Sequence, residues 1–341
     1  MNTIKPLDKT YSFDLDGNIA HLNTPVLFEE KQADGSRKLI EISVKDYDHN
    51  PKYADREQYR PLDNNREKTF MHARDSYKNA KHRGVEGLKI DMLEAINKQQ
   101  FGPSFYRLLF DVWLQGRSFS INTARGHTPD NIKNSIQDSL MTLLSPKGLS
   151  IMAQNIRNRY QLVNNDSDTT VIWWYLDRCT MYYGGANIEL RKHHMISHIT
   201  NSSLIKTIYQ DKYIHWFHDF SKEILKSEID YPVKMGFSDD GYDNTKYMLE
   251  CFLSMREKKT LPYDNMKFRV YYTGEHIDVV QKNIEEEIIK ILGSIDGVIV
   301  EKKQHSLADY YKELQVNGES IFQDDKHNYD DKIYESLKIM L

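Results

Sequence analysis

Cysteine is nearly absent: Cys179 and Cys251 are the only two. Their spacing gives neither a disulfide framework nor a CxxC knuckle, so a reducing, cytoplasmic compartment is the simpler expectation. Long apolar runs are missing too. The most apolar stretch, residues 171–176, is strand-sized, which argues against a membrane span. The opening MNTIKPLDKTYSFDLDG has no continuous apolar segment, so no signal peptide is expected. Nor does one sign of charge dominate. A net charge of −4 argues against nucleic-acid binding by the whole surface, though it leaves room for a local basic patch. Neither internal repeats nor low-complexity segments occur. What remains is a 341-residue chain, 39% hydrophobic and 28% charged, long enough for one large core plus an inserted module.

Residues 9–13 (KTYSF) read as a short strand that stops at Asp-Leu-Asp-Gly. Residues 26–29 and 39–44 flank the turn Ala33-Asp34-Gly35-Ser36 and read as a hairpin. Residues 50–68, rich in Pro, Asp, Asn and charge, suggest an irregular, solvated connection. Helices are expected over 89–98, 105–114, 131–144, 204–225 and 246–256, and over a stripe from Ile277 to Ile291 that Gly293 ends. Further strands are expected at 117–122, 232–237, 268–272 and 298–300. The aromatic run 171–176 is a buried strand or a helix, and periodicity alone does not separate the two. Such alternation predicts an α/β fold: a Rossmann-like, mainly parallel sheet with helices on both faces, whose ligands bind beyond the carboxyl ends of the strands.

The chemistry-bearing residues sit at those ends. Asp14 and Asp16 lie two apart just past a strand, so both can face one site, and Gly17 lets the chain turn away. Paired carboxylates need a cation or a proton between them, and Mg2+ favours such oxygen ligands. An EF-hand loop also begins Asp-x-Asp. It fails here, because its glycine position is Ile19 and its terminal acid position is Pro25. Thr123-Ala124-Arg125-Gly126-His127 follows a second strand, where a hydroxyl and free N–H groups can hold a phosphate oxygen, although a threonine before a helix is usually an N-cap. Asp239 and Asp240 follow a third strand in GFSDDGYDN; an ordinary surface turn is the competing interpretation.

In order and context these segments resemble the haloacid dehalogenase superfamily: FDLDGN at 13–18, SINTARG ending its motif at Thr123, and GFSDDGYDN at 236–244. The resemblance implies a core of residues 1–18, 116–130 and 201–300. It leaves 19–115 as an insertion after the first motif (a hairpin flap and possible cap), 131–200 as a mostly helical insertion and 301–341 as a polar tail. It further implies a Mg2+-dependent phosphatase acting on a small phosphorylated substrate. Asp14 would be the nucleophile that becomes an aspartyl-phosphate, and Asp16 the acid and then the base. Thr123 and the Ala124 backbone would bind phosphoryl oxygens. Asp14, the Asp16 main chain and Asp239 or Asp240 would hold the metal. The family's lysine is assigned to Lys212, with Lys206 and Lys234 as competitors.

His194 and His198 have the i,i+4 spacing of a helical metal pair, but no third ligand is evident, and core or surface histidines are the preferred interpretation. Residues 52–89 hold ten Lys/Arg against six Asp/Glu with aromatics interleaved. That composition suits a cap for a nucleotide or polynucleotide end, or equally a solvated surface with snorkelling cations. Two alternatives to a small-molecule phosphatase follow: a phosphate- or nucleotide-binding regulatory protein without turnover, and a nucleic-acid end-processing phosphatase.

Overall fold

β1 (Lys9–Phe13) alternates into a buried position on both faces, with Tyr11 and Phe13 packed in the core and Thr10 and Ser12 equally buried opposite them. A strand hidden on both sides belongs in the middle of a covered sheet. The computed structural model describes residues 7–75, 86–162, 166–226, 229, 231–274 and 299–300. In chain order the other strands are β2 (Pro25–Lys31), β3 (Arg37–Ser43), β4 (Tyr59–Pro61), β5 (Phe119–Thr123), β6 (Thr180–Gly184), β7 (Val233–Asp239), β8 (Met266–Tyr272) and β9 (Ile299–Val300). The helices are α1 (Val44–His49), α2 (Arg66–Thr69), α3 (Gly87–Asn97), α4 (Pro129–Leu143), α5 (Pro146–Tyr160), α6 (Asp168–Arg178), α7 (Ile188–His193), α8 (Ser202–Leu225) and α9 (Tyr242–Glu257).

Among the described residues, six strands form one sheet in the order β6-β5-β1-β7-β8-β9, and every neighbouring pair is parallel. This is a Rossmann-like α/β sheet flanked by helices. α3 packs on α4, α6 on α4 and α5, and α8 on α9, giving two helical groups. From β1 the chain builds outward through β5 and β6, then returns to β1's other edge for β7. The order therefore reverses at β1, and the crevice this creates opens at the carboxyl ends of β5, β1 and β7.

β2 and β3 pair antiparallel around Gly35, whose φ of +82° suits the turn. β4 adds a third strand from residues that composition marks as irregular, pairing with β2 at Phe28, Glu29 and Glu30. Residues 171–176 are helical. Ser167 caps α6 by accepting from the Thr170 N–H, and Val171, Ile172, Tyr175 and Leu176 are buried while Trp173 faces solvent. The expected helix 105–114 contains a π-helical segment, Arg107–Trp113, with Leu114 N–H bonding Leu109 O and Arg117 N–H bonding Val112 O.

Two expected boundaries move. Residues 131–200 are not simply an insertion, because they supply β6 to the main sheet and α4 and α6 against it. Likewise the latter part of 19–115 carries α3, which packs on α4, so the separate module is the three-stranded sheet and its short helices. The stripe 277–291 and the tail 301–341 lie outside the described residues. No described helix is long and apolar enough to cross a membrane.

Candidate active site

Strand register brings the first and third motifs together. Phe13 lies opposite Ser238, and the Asp14 N–H donates to Ser238 O at 2.9 Å, so the chain leaves β1 and β7 side by side. Asn18 locks the junction: its side-chain amide donates to Asp14 O at 3.2 Å and Ser238 O at 2.9 Å, while its oxygen accepts from Ser238 and Thr273. Asn18 is completely buried, so these partners satisfy a group that would otherwise be costly to bury.

On this frame Asp14, Asp239 and Asp240 converge, with one carboxylate oxygen from each within 4.8 Å of the others. Lys206, on α8, reaches into the cluster. Its Nζ donates to Asp14 Oδ1 at 2.7 Å and to Asp239 Oδ2 at 2.6 Å, and the side chain is 2% exposed. Asp239 is further held at Oδ1 by the Gly241 N–H at 2.8 Å and the Asn244 amide at 3.0 Å. Asp240 receives no side-chain hydrogen bond among the described residues. Its carboxylate lies over Gly17, where a Cβ would stand 2.0 Å from Oδ2. Gly17 also has a φ of +70°, a backbone conformation that favours glycine, and a Cβ there would push the Asp240 carboxylate aside.

Electrostatics follow from that packing. Burial, with Asp239 and Asp16 adding to it against the opposing Lys206, pushes the Asp14 carboxyl up to about 7. Burial and the charges of Asp14 and Asp239 push Asp240 up to about 9. Burial works against the Lys206 ammonium, but Asp14 and Asp239 outweigh it and raise its pKa above the ordinary lysine value. When all three are ionised, the carboxylates outnumber the one ammonium, so the cluster takes up protons or a cation. Asp14, Asp239 and Asp240 together offer the hard oxygen donors that Mg2+ accepts, so the residues present fit such an ion.

Asp16 turns the other way. Arg125 grips it through Nε to Oδ2 at 2.7 Å and Nη2 to Oδ1 at 2.6 Å, and donates to Thr24 as well. The guanidinium is buried, with Asp91 4.0 Å away. Thr123 is buried at the end of β5 and accepts the Arg125 N–H on its hydroxyl at 3.3 Å, while Ala124 is exposed. The loop is braced from the insertion: Gly126 N–H bonds Ala73 O at 2.8 Å, and Asp75 accepts from the Thr128 N–H at 2.6 Å and stands 2.6 Å from His127 Nδ1. Burial holds the His127 pKa below the usual imidazole value.

The expected lysine is corrected. Lys206 enters the cluster, whereas Lys212 lies half-buried six residues further along α8 and Lys234 is exposed on β7. A hundred degrees per residue turns 206, 210 and 213 inward together and leaves 212 off that face. Arg125 and Asn18 lie within the sequence motifs, yet nothing in their spacing announces their partners. His194 follows the end of α7 and His198 is beyond it, so they do not share a helix turn; among the described residues the only metal-capable group is the aspartate cluster. In comparisons with protein-family models, curated proteins and solved structures, nothing matches this chain.

Proposed function

We propose that the chain is a phosphohydrolase that cleaves a phosphate monoester with Asp14 as the nucleophile. The observation that carries this reading is the Asp14–Lys206–Asp239 contact, with Asp240 beside it, at the carboxyl ends of adjacent parallel strands. In this role Asp14 Oδ attacks phosphorus and the phosphorus–oxygen bond to the leaving group breaks, giving an aspartyl-phosphate that water then hydrolyses. Lys206 keeps Asp14 oriented and offsets charge as the attack develops. In this role the Thr123 hydroxyl and the Ala124 backbone N–H would donate to the phosphoryl oxygens. Mg2+ held by Asp14, Asp239 and Asp240 would supply charge neutralisation at the phosphoryl group. Asp16 is assigned the proton transfers, which require Arg125 to release one of its oxygens.

That last requirement favours a second reading, a phosphate- or nucleotide-binding protein without turnover, since both Asp16 oxygens are taken by Arg125. One experiment separates the two. Phosphate release from an aryl phosphate is measured with Mg2+, with chelator, and with Ca2+ after chelation. Turnover with Mg2+ alone, falling by at least about a thousandfold in Asp14→Asn, is the expected result. Full activity in excess chelator, or near-normal release by a folded Asp14→Asn protein, rules the mechanism out. Binding of phosphate without release supports the second reading.

A further inference from the structure

An open cleft of about 590 Å³ is lined by Ser203 at the start of α8 and by residues 243–250 of α9. The hydroxyl of Ser203 donates to Asn244 Oδ1 at 2.7 Å, and the Asn244 amide in turn donates to Asp239 Oδ1 at 3.0 Å. The cleft is therefore two hydrogen bonds from the proposed reaction centre. Two cations from separate parts of the chain line it: Arg66 from α2 of the insertion, and Lys246 from α9 of the core. Neither cation is ion-paired with a carboxylate among the described residues. Arg66 lies against the Phe70 ring at 5.9 Å, which steadies the guanidinium without neutralising it.

From this arrangement we infer that the substrate carries a second anionic group, a phosphate or a carboxylate, clamped between Arg66 and Lys246 while its phosphate ester faces Asp14. The inference rests on the phosphohydrolase reading and names its substrate class. Two cations lining one open cleft, neither paired with a carboxylate, repel each other and gain most when an anion sits between them. A guanidinium offers a planar fork and an ammonium a movable point charge, a combination that tolerates either oxyanion. Asp243 and Glu250 line the same cleft, so its charge is balanced overall. A polyanionic strand laid along it would meet two carboxylates, and a small molecule with two charged ends is the better fit.

Turnover of a hexose bisphosphate, a phosphorylated hydroxy acid and a hexose monophosphate is compared for the full chain, for Arg66→Ala, for Lys246→Ala and for the double variant. Both side chains are at least partly exposed, and circular dichroism checks that the variants fold. The expected result is a kcat/KM preference of about tenfold for at least one doubly charged substrate, expressed in KM. Each single variant lowers that ratio about threefold, the double variant brings it near one, and added salt weakens it in the parent protein. Whichever doubly charged substrate shows the effect identifies the anion. A parent ratio near one for both substrates, or a preference that survives the double variant, overturns the inference. If no substrate releases phosphate, the phosphohydrolase reading fails separately. Calorimetric binding of the same three compounds then decides the cleft, with tighter binding of a doubly charged compound that the double variant loses as the supporting result and equal affinities as the overturning one.

Discussion

Asp14 and Asp16 leave the same strand end two residues apart, yet their surroundings are opposite. Asp14 enters a buried knot of like charges in which one ammonium is shared between two carboxylates. Asp16, with a side chain 19% exposed, meets one guanidinium that matches it oxygen for nitrogen. The first environment is poised and short of positive charge; the second is compensated and rigid. Reactivity belongs where charge is uncompensated, because that is where an incoming cation or phosphoryl group has something to gain. The identical residue type at the two positions conceals this. Partners supplied from residues 125, 206, 239 and 240 create it.

The largest effect that would test the contrast is on stability. Lys206→Met leaves Asp14 and Asp239 buried without their shared cation, and should cost about 3–5 kcal/mol in denaturant unfolding of the metal-free protein. Lys212→Ala should stay within about 0.5 kcal/mol, as a substitution away from such features does. Equal costs at the two lysines would dissolve the assignment of Lys206.

Next comes pH. Asp14 and Asp240 have folded pKa values raised to about 7 and about 9, so the folded state binds more protons than the unfolded chain between the unfolded carboxylate range and those values. Their contribution to stability is fully present below the unfolded pKa of about 4 and is lost as pH rises through 7 and then 9. In chelator, the difference in unfolding free energy between Asp240→Asn and the parent should therefore grow in favour of the variant from pH 5 to pH 9. Mg2+ should erase it by giving the anions a partner in the parent. A difference that is flat with pH would show that Asp240 is not held in the acidic knot.

On the compensated side the effect should be smaller. Arg125→Met leaves Asp16 without its partner, but that side chain retains access to water, so about 1–3 kcal/mol is expected. A loss as large as that of Lys206→Met would mean that the two sides are not electrostatically different.

Much of this arrangement was readable in advance. β1, the hairpin of β2 and β3, and the strand ends carrying Asp14, Thr123 and Asp239 follow from local alternation and turn residues. So does α8, although its useful lysine does not. Choosing Lys206 over Lys212 requires the rotational phase of α8 against the sheet, which is set by the burial of Tyr209, Tyr213 and Phe217 and not by distance along the chain from Asp239. The run at 171–176 was ambiguous because a short apolar segment satisfies both periods. A cap at Ser167 and the exposure of Trp173 decide for helix. β6 was hidden because its pairing with β5 is a long-range fact. The Arg125–Asp16 pair spans 109 positions and the Lys206–Asp14 pair 192, so neither leaves a trace in spacing.

Gly17 offers the finest test, since it touches the poised side without bearing charge. Its φ of +70° is strained for any residue with a Cβ, and the Cβ of alanine would stand 2.0 Å from Asp240 Oδ2 and 2.8 Å from its Cγ. The atoms it meets are the end of a side chain, so Asp240 can swing aside rather than force the backbone apart. Gly17→Ala should then cost about 1–2 kcal/mol for the backbone strain. It should also displace Asp240 and so weaken Mg2+ binding, read as a smaller rise in melting temperature when the ion is added. Asp240→Asn combined with Gly17→Ala should lose no more Mg2+ stabilisation than Asp240→Asn alone, because the two act through one carboxylate. Additive losses would place the effect of Gly17 elsewhere in the loop, at Asp14 or Asp16, and Asp240 would no longer be the residue that the glycine makes room for.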